Sequence, residues 1–341
     1  MTSLALVLEW ENAEGLEREE ARRFLDGIAG RLAEFGAATG NAVQLVLVHD
    51  EDVDPADLDA DLAAASSAAG VDLRLIRAPG ARYYEKKSVG ALLTEADVLV
   101  FGDSDCTYGP DWIELLAAPI LAGDADLVAG STRAMAGDSY MEKASTFAWF
   151  FPSEDPADPL HKAAGRRFFA NNFAIRADLM RQVPVPRFDA SRSHGGAWLA
   201  LIGAAGGRIL RVPEAIARHK QYDSFGALMR RAALLGRDKD FGVAMAGASR
   251  GKRLLRALAA GPELTVKHLR RLVGSGRRAL GLPMALAILP VGLAFQWVAG
   301  STQIWSAATR PPPSEPEGYG DLLDRATVET RSGSVHDPVV V

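Results

Sequence analysis

From residue 3 to residue 131 the chain alternates short, continuous apolar runs with longer segments whose apolar residues recur at helical spacing. The runs are Leu4 to Leu8, Ala42 to Val48, Val71 to Ile76 and Ala96 to Phe101. Leu4 to Leu8 is apolar throughout and the second and fourth runs are so apart from Gln44 and Asp97, the pattern of a strand buried on both faces of a parallel sheet; Val71 to Ile76 also carries Asp72 and Arg74. Between them, Leu16 to Phe35 carries Leu16, Phe24, Leu25, Ile28 and Leu32 on one helical face, with charge opposite. Asp57 to Ala69 is Ala-rich, and Arg82 to about Thr94 opens on Arg-Tyr-Tyr-Glu-Lys-Lys, and both are expected to be helical. Strand and helix in strict alternation imply right-handed crossovers and an α/β fold, Rossmann-like, with a mostly parallel sheet flanked by helices.

The pattern continues less regularly. A helix is expected from Pro110 to about Leu121 and a strand from Asp126 to Ser131. Tyr140 to Arg167 is rich in aromatics and prolines and reads as loop and short helix over the sheet. Phe168 to Ile175 predicts a strand or hairpin, followed by short helices at Arg176 to Gln182 and Trp198 to Ala205. Gly206-Gly207 stops the second helix before a last strand, Arg208 to Val212.

Beyond residue 225 the chain changes character. Gly226 to Arg278 holds 13 Lys and Arg against three acids, a local +10 in a protein of net charge −5, so the rest carries −15. Ala279 to Thr309 then runs 31 residues without a charge, longer than the roughly 20 that cross a bilayer. Pro283 and Pro290 would kink a single span or bend it into a re-entrant hairpin. Trp297 and Trp305 suit a membrane interface, and the basic stretch upstream suits an anionic cytoplasmic leaflet. The alternative is a buried helix of a soluble protein. The expected organisation is a domain at 1–225, a basic amphipathic helical segment at 226–278, a membrane-associated segment at 279–309 and a disordered polar tail at 310–341. One cysteine, Cys106, excludes an internal disulfide framework and a Cys-based zinc site. The acidic balance argues against nucleic acid as a partner.

Candidate chemistry gathers where the apolar runs end. The run at Ala96 ends in Asp103-Ser104-Asp105, and in open α/β sheets ligands bind at the carboxyl ends of strands. Two carboxylates at i and i+2 can hold one Mg²⁺ or Mn²⁺ against the phosphates of a nucleotide, though an acidic turn has the same sequence. Lys86 and Lys87, with Tyr83 and Tyr84, precede the pair and could hold phosphate and stack a base, or solvate a helix start. Cys106 follows it as a reactive thiol or, more simply, a small packing residue.

In order, these pieces resemble the family 2 glycosyltransferases of GT-A fold. The carriers are Glu9-Trp10-Glu11-Asn12 after the first strand, Asp50 after the second, Lys87 before Asp103-Ser104-Asp105, the segment Phe168 to Arg176, Arg187-Phe188-Asp189, and Gly207 to His219. Together they cover residues 3 to 225. The resemblance implies a nucleotide-sugar donor (a UDP-, GDP- or dTDP-sugar) bound through Glu11, Asp50, Lys87 and Asp103, with Mn²⁺ or Mg²⁺ held by Asp103, Asp105 and His219. It also implies a glycan or lipid-linked acceptor and contact with membrane lipids on the cytoplasmic side of the plasma membrane, as in cell-envelope polysaccharide assembly. Members usually carry Glu-Asp about 11 residues before the Gly of the last strand. Counting back from Gly206 or Gly207 reaches Gly195 or Gly196, where there is no carboxylate. His194 and Asp189 are the nearest candidates for the general base. That departure keeps open a non-catalytic nucleotide-sugar-binding or scaffold protein on the same fold. A nucleotidyltransferase fits less well, because the first strand is followed by acids and not by a Gly-rich, basic phosphate loop.

Overall fold

The computed structural model describes residues 2–10, 18–50, 64–65, 67–148, 151–161, 167–188, 194–311 and 315–331. At its centre are β1 (Ser3–Glu9), β2 (Ala42–His49), β3 (Asp72–Arg77) and β4 (Val98–Asp103), four parallel neighbours in the order β4-β1-β2-β3. Toward the other edge lie β5 (Cys106–Tyr108), β6 (Leu127–Ala134), β7 (Asn172–Arg176) and β8 (Ile209–His219). β7 runs antiparallel to β4 and β6, β8 parallel to β6, and β5 antiparallel to β8. The fold is therefore mixed α/β with a mostly parallel sheet, as the alternating pattern predicts.

Alternation along β1 explains the layers. Leu4, Leu6 and Leu8 face one side, where they pack on α1 (Arg18–Thr39) and α3 (Trp112–Leu121); Ala5 and Val7 face the other. The opposite layer is α2 (Tyr83–Leu92), α5 (Ala177–Gln182) and α6 (His194–Ala204). Both faces are covered, so β1 and β4 run apolar from Leu4 to Leu8 and from Val98 to Phe101 and turn polar only where they end. Gly90 is where α2 meets the sheet most closely: a Cβ there would lie 2.7 Å from Val7 and 2.9 Å from Val48. Most of the expected helix at 57–69 lies outside the described residues.

β8 runs to His219, well past the expected end at Val212. Its register against β6 breaks between Ala129 and Ser131, and that irregularity accommodates Pro213 and the exposed Glu214 within the strand. His219 is thereby a strand residue with a fixed position.

The carboxyl-terminal third is a second helical layer: α4 (Tyr140–Ala148), α7 (Phe225–Met245), α8 (Arg250–Arg271), a π-helical turn at Leu272–Gly276, α9 (Arg277–Leu280) and α10 (Leu282–Thr309). Its core includes Phe147, Leu228, Leu272, Ile288 and Phe295. The basic stretch is two helices, parted at Gly247 with φ +75°, and its cations are not all on the surface. Arg253 forms a buried pair with Asp240 at 2.6 Å, and Ser306 of α10 donates to the same carboxylate at 2.8 Å, tying three helices together. Arg271 grips Asp158 at 2.8 Å and also donates to the carbonyls of Phe147 and Phe151.

α10 is continuous, not a hairpin. Pro283 sits in its first turn, where no intrahelical N–H is needed, and Pro290 is carried inside it. Among the described residues it is the one helix long and apolar enough to cross a membrane, and 39% of its most apolar window is buried against the rest of the chain.

The disordered tail expected from residue 310 is not what residues 315–331 do. α11 (Gly320–Leu323) packs under the sheet, and β9 (Thr327–Arg331) adds an antiparallel edge strand to β3. Tyr319 donates to the carbonyl of Val185 at 2.6 Å, and Arg187 bridges Glu85 at 3.2 Å and Asp321. Buried Tyr319 and Leu322 supply the apolar anchor, and the alternating polar residues of β9 suit an exposed edge.

Candidate functional site

β1, β2 and β4 end side by side, because Ser3 to Glu9 register against Ala42 to Val48, and Leu4 to Glu9 against Val98 to Asp103. This carboxyl edge, where β4 and β2 diverge around β1, is the position at which such sheets bind ligands. Asp103 ends β4 only 1% exposed. Lys87 Nζ, fully buried, donates to Asp103 Oδ1 at 2.6 Å and to the Gly102 carbonyl at 3.1 Å; Tyr83 donates to Oδ2 at 2.8 Å. Tyr83 and Lys87 stand one helical turn apart on α2 and reach the same carboxylate. Lys86 is also buried. The Lys and Tyr cluster is therefore an internal clamp on the end of β4, not a solvated helix start.

The start of α2 is held in turn. Burial pulls the Glu85 carboxyl up, but hydrogen bonds from Arg82 and Arg187 overcome it and leave its pKa below the ordinary value.

Asp105 stands two residues on, past the turn at Ser104. Its Oδ2 lies 3.3 Å from His219 Nε2, and Cys106 Sγ lies within 4.8 Å of both donor atoms. The pairing follows from β5 and β8, whose register sets Cys106 opposite His219. His219 Nδ1 is 2.6 Å from the Lys220 carbonyl, which places an N–H there and turns Nε2 toward Asp105. A carboxylate oxygen and an imidazole nitrogen facing each other at this distance suit a Mn²⁺-like cation between them. Burial, followed by the charges of Asp105 and Asp103, pushes the Cys106 pKa well up. Cys106 is thus a protonated packing residue that accepts from Asn171 Nδ2 at 3.4 Å, rather than a reactive thiolate.

A cleft of about 360 Å³ opens beside this edge. Its walls include Tyr83, Tyr84, Asp103, Arg167, Phe168 and His219. Gly196 near the start of α6 also lines it, and a Cβ on Gly195 would meet Phe168 at 2.9 Å and the Tyr84 hydroxyl at 3.2 Å. The first turn of α6 therefore closes one side. Asp105 borders a separate hollow of about 380 Å³ with Glu20, Phe24 and Lys220. The two asparagines in the Phe168–Arg176 segment are structural: Asn172 accepts from Trp112 and donates to the carbonyls of Ser131 and Ala215, each at 2.8 Å, and Asn171 accepts from Thr132.

The structure brings Lys87, Asp103, Asp105 and His219 together. Asp50, at the end of β2, accepts from the backbone N–H of Gly80 at 3.2 Å. Glu11 and Asp189 lie outside the described residues, as does the side chain of His194, whose backbone opens α6. Phe168 opens a segment that carries the resemblance but has no site role in it, and the sequence does not single out Arg167; neither sits at a strand end, and only the fold brings them over the sheet.

Comparison with known proteins gives the following. Residues 18–181 match the family model described as glycosyl transferase family 2. No curated protein matches. Among solved structures, the chain is similar to the mannosyltransferase PcManGT from Pyrobaculum calidifontis in complex with GDP-Man and Mn²⁺, at 16% identity and TM-score 0.50, covering 90% of this chain and 86% of that one. It is also similar to glucosyl-3-phosphoglycerate synthase from Mycobacterium tuberculosis, at 16% identity and TM-score 0.44, over 71% of this chain and 78% of that one. Mannosyl-3-phosphoglycerate synthase from Rubrobacter xylanophilus follows at 13% identity and TM-score 0.47, over 72% and 75%. At these identities the likeness is one of fold.

Proposed function

From the match of residues 18–181 to the glycosyl transferase family 2 model, we propose that the chain transfers a sugar from a nucleoside diphosphate to an acceptor at the cytoplasmic face of a membrane. The observation that carries this reading is the end of β4, where Asp103 is locked by Lys87 and Tyr83 while Asp105 faces His219. Both Asp103 oxygens are engaged within the protein, so the metal falls to Asp105 and His219. Asp103, held by Lys87, shapes the diphosphate side of the cleft, and Asp50 at the end of β2 would take the nucleoside, a role the resemblance also gives to Glu11. The hard oxygen and imidazole donors favour Mn²⁺ over Mg²⁺. When bound, the cation neutralises charge that builds on the departing diphosphate. The GDP-Man and Mn²⁺ bound by PcManGT agree with this donor class.

In the transfer, an acceptor oxygen attacks the anomeric carbon as the bond to the diphosphate breaks. An acceptor hydroxyl needs a base. Among the described residues lining the cleft, Asp103 is the only carboxylate and is held by Lys87. The base for a hydroxyl acceptor would therefore be His194, at the start of the helix whose Gly196 lines the cleft, with Asp189 nearby in sequence. The same shortage of carboxylates favours, as the second reading, a protein that binds the nucleotide sugar without transferring it.

Membrane association is supported by the outward faces of α8 and α10. Leu255, Leu258 and Val266 of α8 and Leu286, Trp297 and Trp305 of α10 are all exposed, Trp297 by 77%. Exposed cations of the same layer, Arg256, Lys267, Arg270 and Arg277, accompany them. An apolar surface rimmed by cations fits an anionic leaflet, with α10 lying against the protein on its other side. We accordingly divide the chain into a GT-A domain through about residue 225, a basic and apolar helical layer through 309, and a terminal segment that returns to the sheet.

Calorimetry with UDP-, GDP- and dTDP-sugars, with and without Mn²⁺, tests the reading. One of them is expected to bind only with the cation, and Mn²⁺-dependent binding in Asp105→Ala equal to wild type would remove Asp105 and His219 from the account.

A further inference from the structure

Residues 183–187, which lead from α5 toward α6, are gripped from both sides. The Val185 N–H donates to Ser88 Oγ of α2 at 3.2 Å, and the Val185 carbonyl accepts from the Tyr319 hydroxyl of the terminal segment at 2.6 Å. Arg187 repeats the arrangement with its side chain, which is only 8% exposed. Its Nε donates to Glu85 of α2 at 3.2 Å, its Nη1 donates to Asp321 and to the Gly318 carbonyl, and its Nη2 lies 3.4 Å from Glu317. The Arg187 carbonyl in turn accepts from the Glu317 N–H at 3.0 Å. Within the same segment the Val183 carbonyl accepts from the indole of Trp198, a buried residue of α6, at 2.7 Å.

These contacts reach both walls of the cleft. Glu85 and Ser88 stand one turn apart on α2 and face residues 183–187, while Tyr83 and Lys87 of the same helix hold Asp103 and Tyr84 lines the cleft. α6 lines it through Gly196 and Leu199, on either side of Trp198 in sequence. Covering the sheet edge does not require such a link. β9 pairs with β3 through its own backbone from Thr327 to Arg331, and Tyr319 and Leu322 already bury apolar surface. A buried arginine bound on two sides adds little stability over an apolar residue of its size, but its planar fork admits one arrangement of the groups it binds. Arg187 does not line the cleft, so any effect on the ligand passes through α2 and through the segment that continues toward α6.

We propose that residues 315–331 form a strap that belongs to the binding machinery: seated on Val185 and Arg187, it holds α2 and α6 at the separation the nucleotide sugar requires, with Arg187 as the positioning residue. The role in nucleotide-sugar binding rests on the transfer reading above; the mechanical link between the strap and the two helices does not. The strap end of the link can be cut alone. Asp321 is 58% exposed, and its loss leaves Arg187 paired with Glu85. Tyr319→Phe likewise removes one hydroxyl and keeps the ring that is buried with Leu322.

The test compares the full wild-type chain with Asp321→Ala, Tyr319→Phe and Asp321→Glu by three measurements: urea unfolding, hydrogen exchange at Tyr83–Leu92 and His194–Ala204, and calorimetry with UDP-, GDP- and dTDP-sugars under Mn²⁺. The urea midpoint of Asp321→Ala is expected to stay at the wild-type value, because an ion pair exposed at one end contributes little. Exchange is expected to rise in both helices in Asp321→Ala and Tyr319→Phe, and affinity for the nucleotide sugar to fall at least about threefold. Asp321→Glu should restore both, which a loss of folding would not permit. Exchange unchanged in the two helices overturns the link. Affinity equal to wild type in Asp321→Ala and Tyr319→Phe overturns the role in binding and leaves the segment a cover for the sheet edge. Failure of the wild-type chain to bind any nucleotide sugar, with exchange still rising in the variants, overturns the transfer reading and leaves the link standing.

Discussion

Replacing Lys87 by Met removes an ammonium that is 0% exposed from a carboxylate that is 1% exposed, across a contact of 2.6 Å. Tyr83 would keep its hydrogen bond to Asp103, but one hydroxyl does not offset a buried negative charge. Breaking a buried pair from one side typically costs about 3–5 kcal/mol. Asp103→Asn leaves the buried ammonium without a counter-charge, with only neutral acceptors such as the Gly102 carbonyl and the amide oxygen, and should cost a similar amount. The double variant buries no net charge and retains an amide for Tyr83, so about 1–3 kcal/mol is expected, giving a coupling of at least about 2 kcal/mol in the cycle. Urea unfolding of the four proteins, with midpoints compared at common slope, measures it. Single-variant costs that simply add, within about 0.5 kcal/mol, would mean that the two side chains do not form the clamp at the end of β4. The same four proteins, assayed for nucleotide binding, separate stability from function.

Three other outcomes follow from the helical layer and the terminal segment. Burial lowers the His268 pKa to about 4 from 6.5; the unfolded state therefore takes up its proton first as pH falls. Stability should drop by up to about 3 kcal/mol between pH 6.5 and pH 4 through this group, and His268→Gln should flatten that slope in thermal melts, whereas an unchanged slope would refute it. For Lys239 the folded-state pKa of about 8 lies below its ordinary 10.5, so the ammonium penalises folding fully below pH 8, and the penalty fades between pH 8 and 10.5. Lys239→Met should gain about 1–2 kcal/mol at pH 7 and lose that gain by pH 10.5, and a pH-independent difference would contradict the argument. Truncation after residue 310 removes β9 and Tyr319, and hydrogen exchange at Asp72–Arg77 should rise sharply; unchanged protection would show that β3 needs no edge partner.

The central strands were legible because both their faces are buried, which leaves an unbroken apolar run from Leu4 and from Val98 and, but for Gln44, from Ala42. The candidate site at Asp103 and Asp105 was legible because such runs end at the ligand-binding edge. What escaped the pattern has identifiable causes. β9 is an edge strand whose Thr, Glu and Arg face solvent, so nothing in its composition separates it from a polar tail. β8 was cut short because Pro213 and Glu214 fall at a register break, where a strand tolerates them. Arg253 and Arg271 read as surface charge, since their partners Asp240 and Asp158 are 13 and 113 residues away. The Lys87 clamp did leave a signal, in the spacing of four between Tyr83 and Lys87. The grip of Arg187 left none, because Glu85 and Asp321 are 102 and 134 residues away from it.

The most direct test of the account is release of nucleoside diphosphate from a nucleotide sugar under Mn²⁺, with a panel of acceptors, comparing the wild-type chain with Asp105→Ala. The account predicts Mn²⁺-dependent release by the wild type, abolished by chelation and reduced at least about a hundredfold in the variant, from loss of a ligand to the ion that stabilises the leaving group. Equal release by the two proteins, or binding of the nucleotide sugar by wild type with no release under any acceptor, would contradict it.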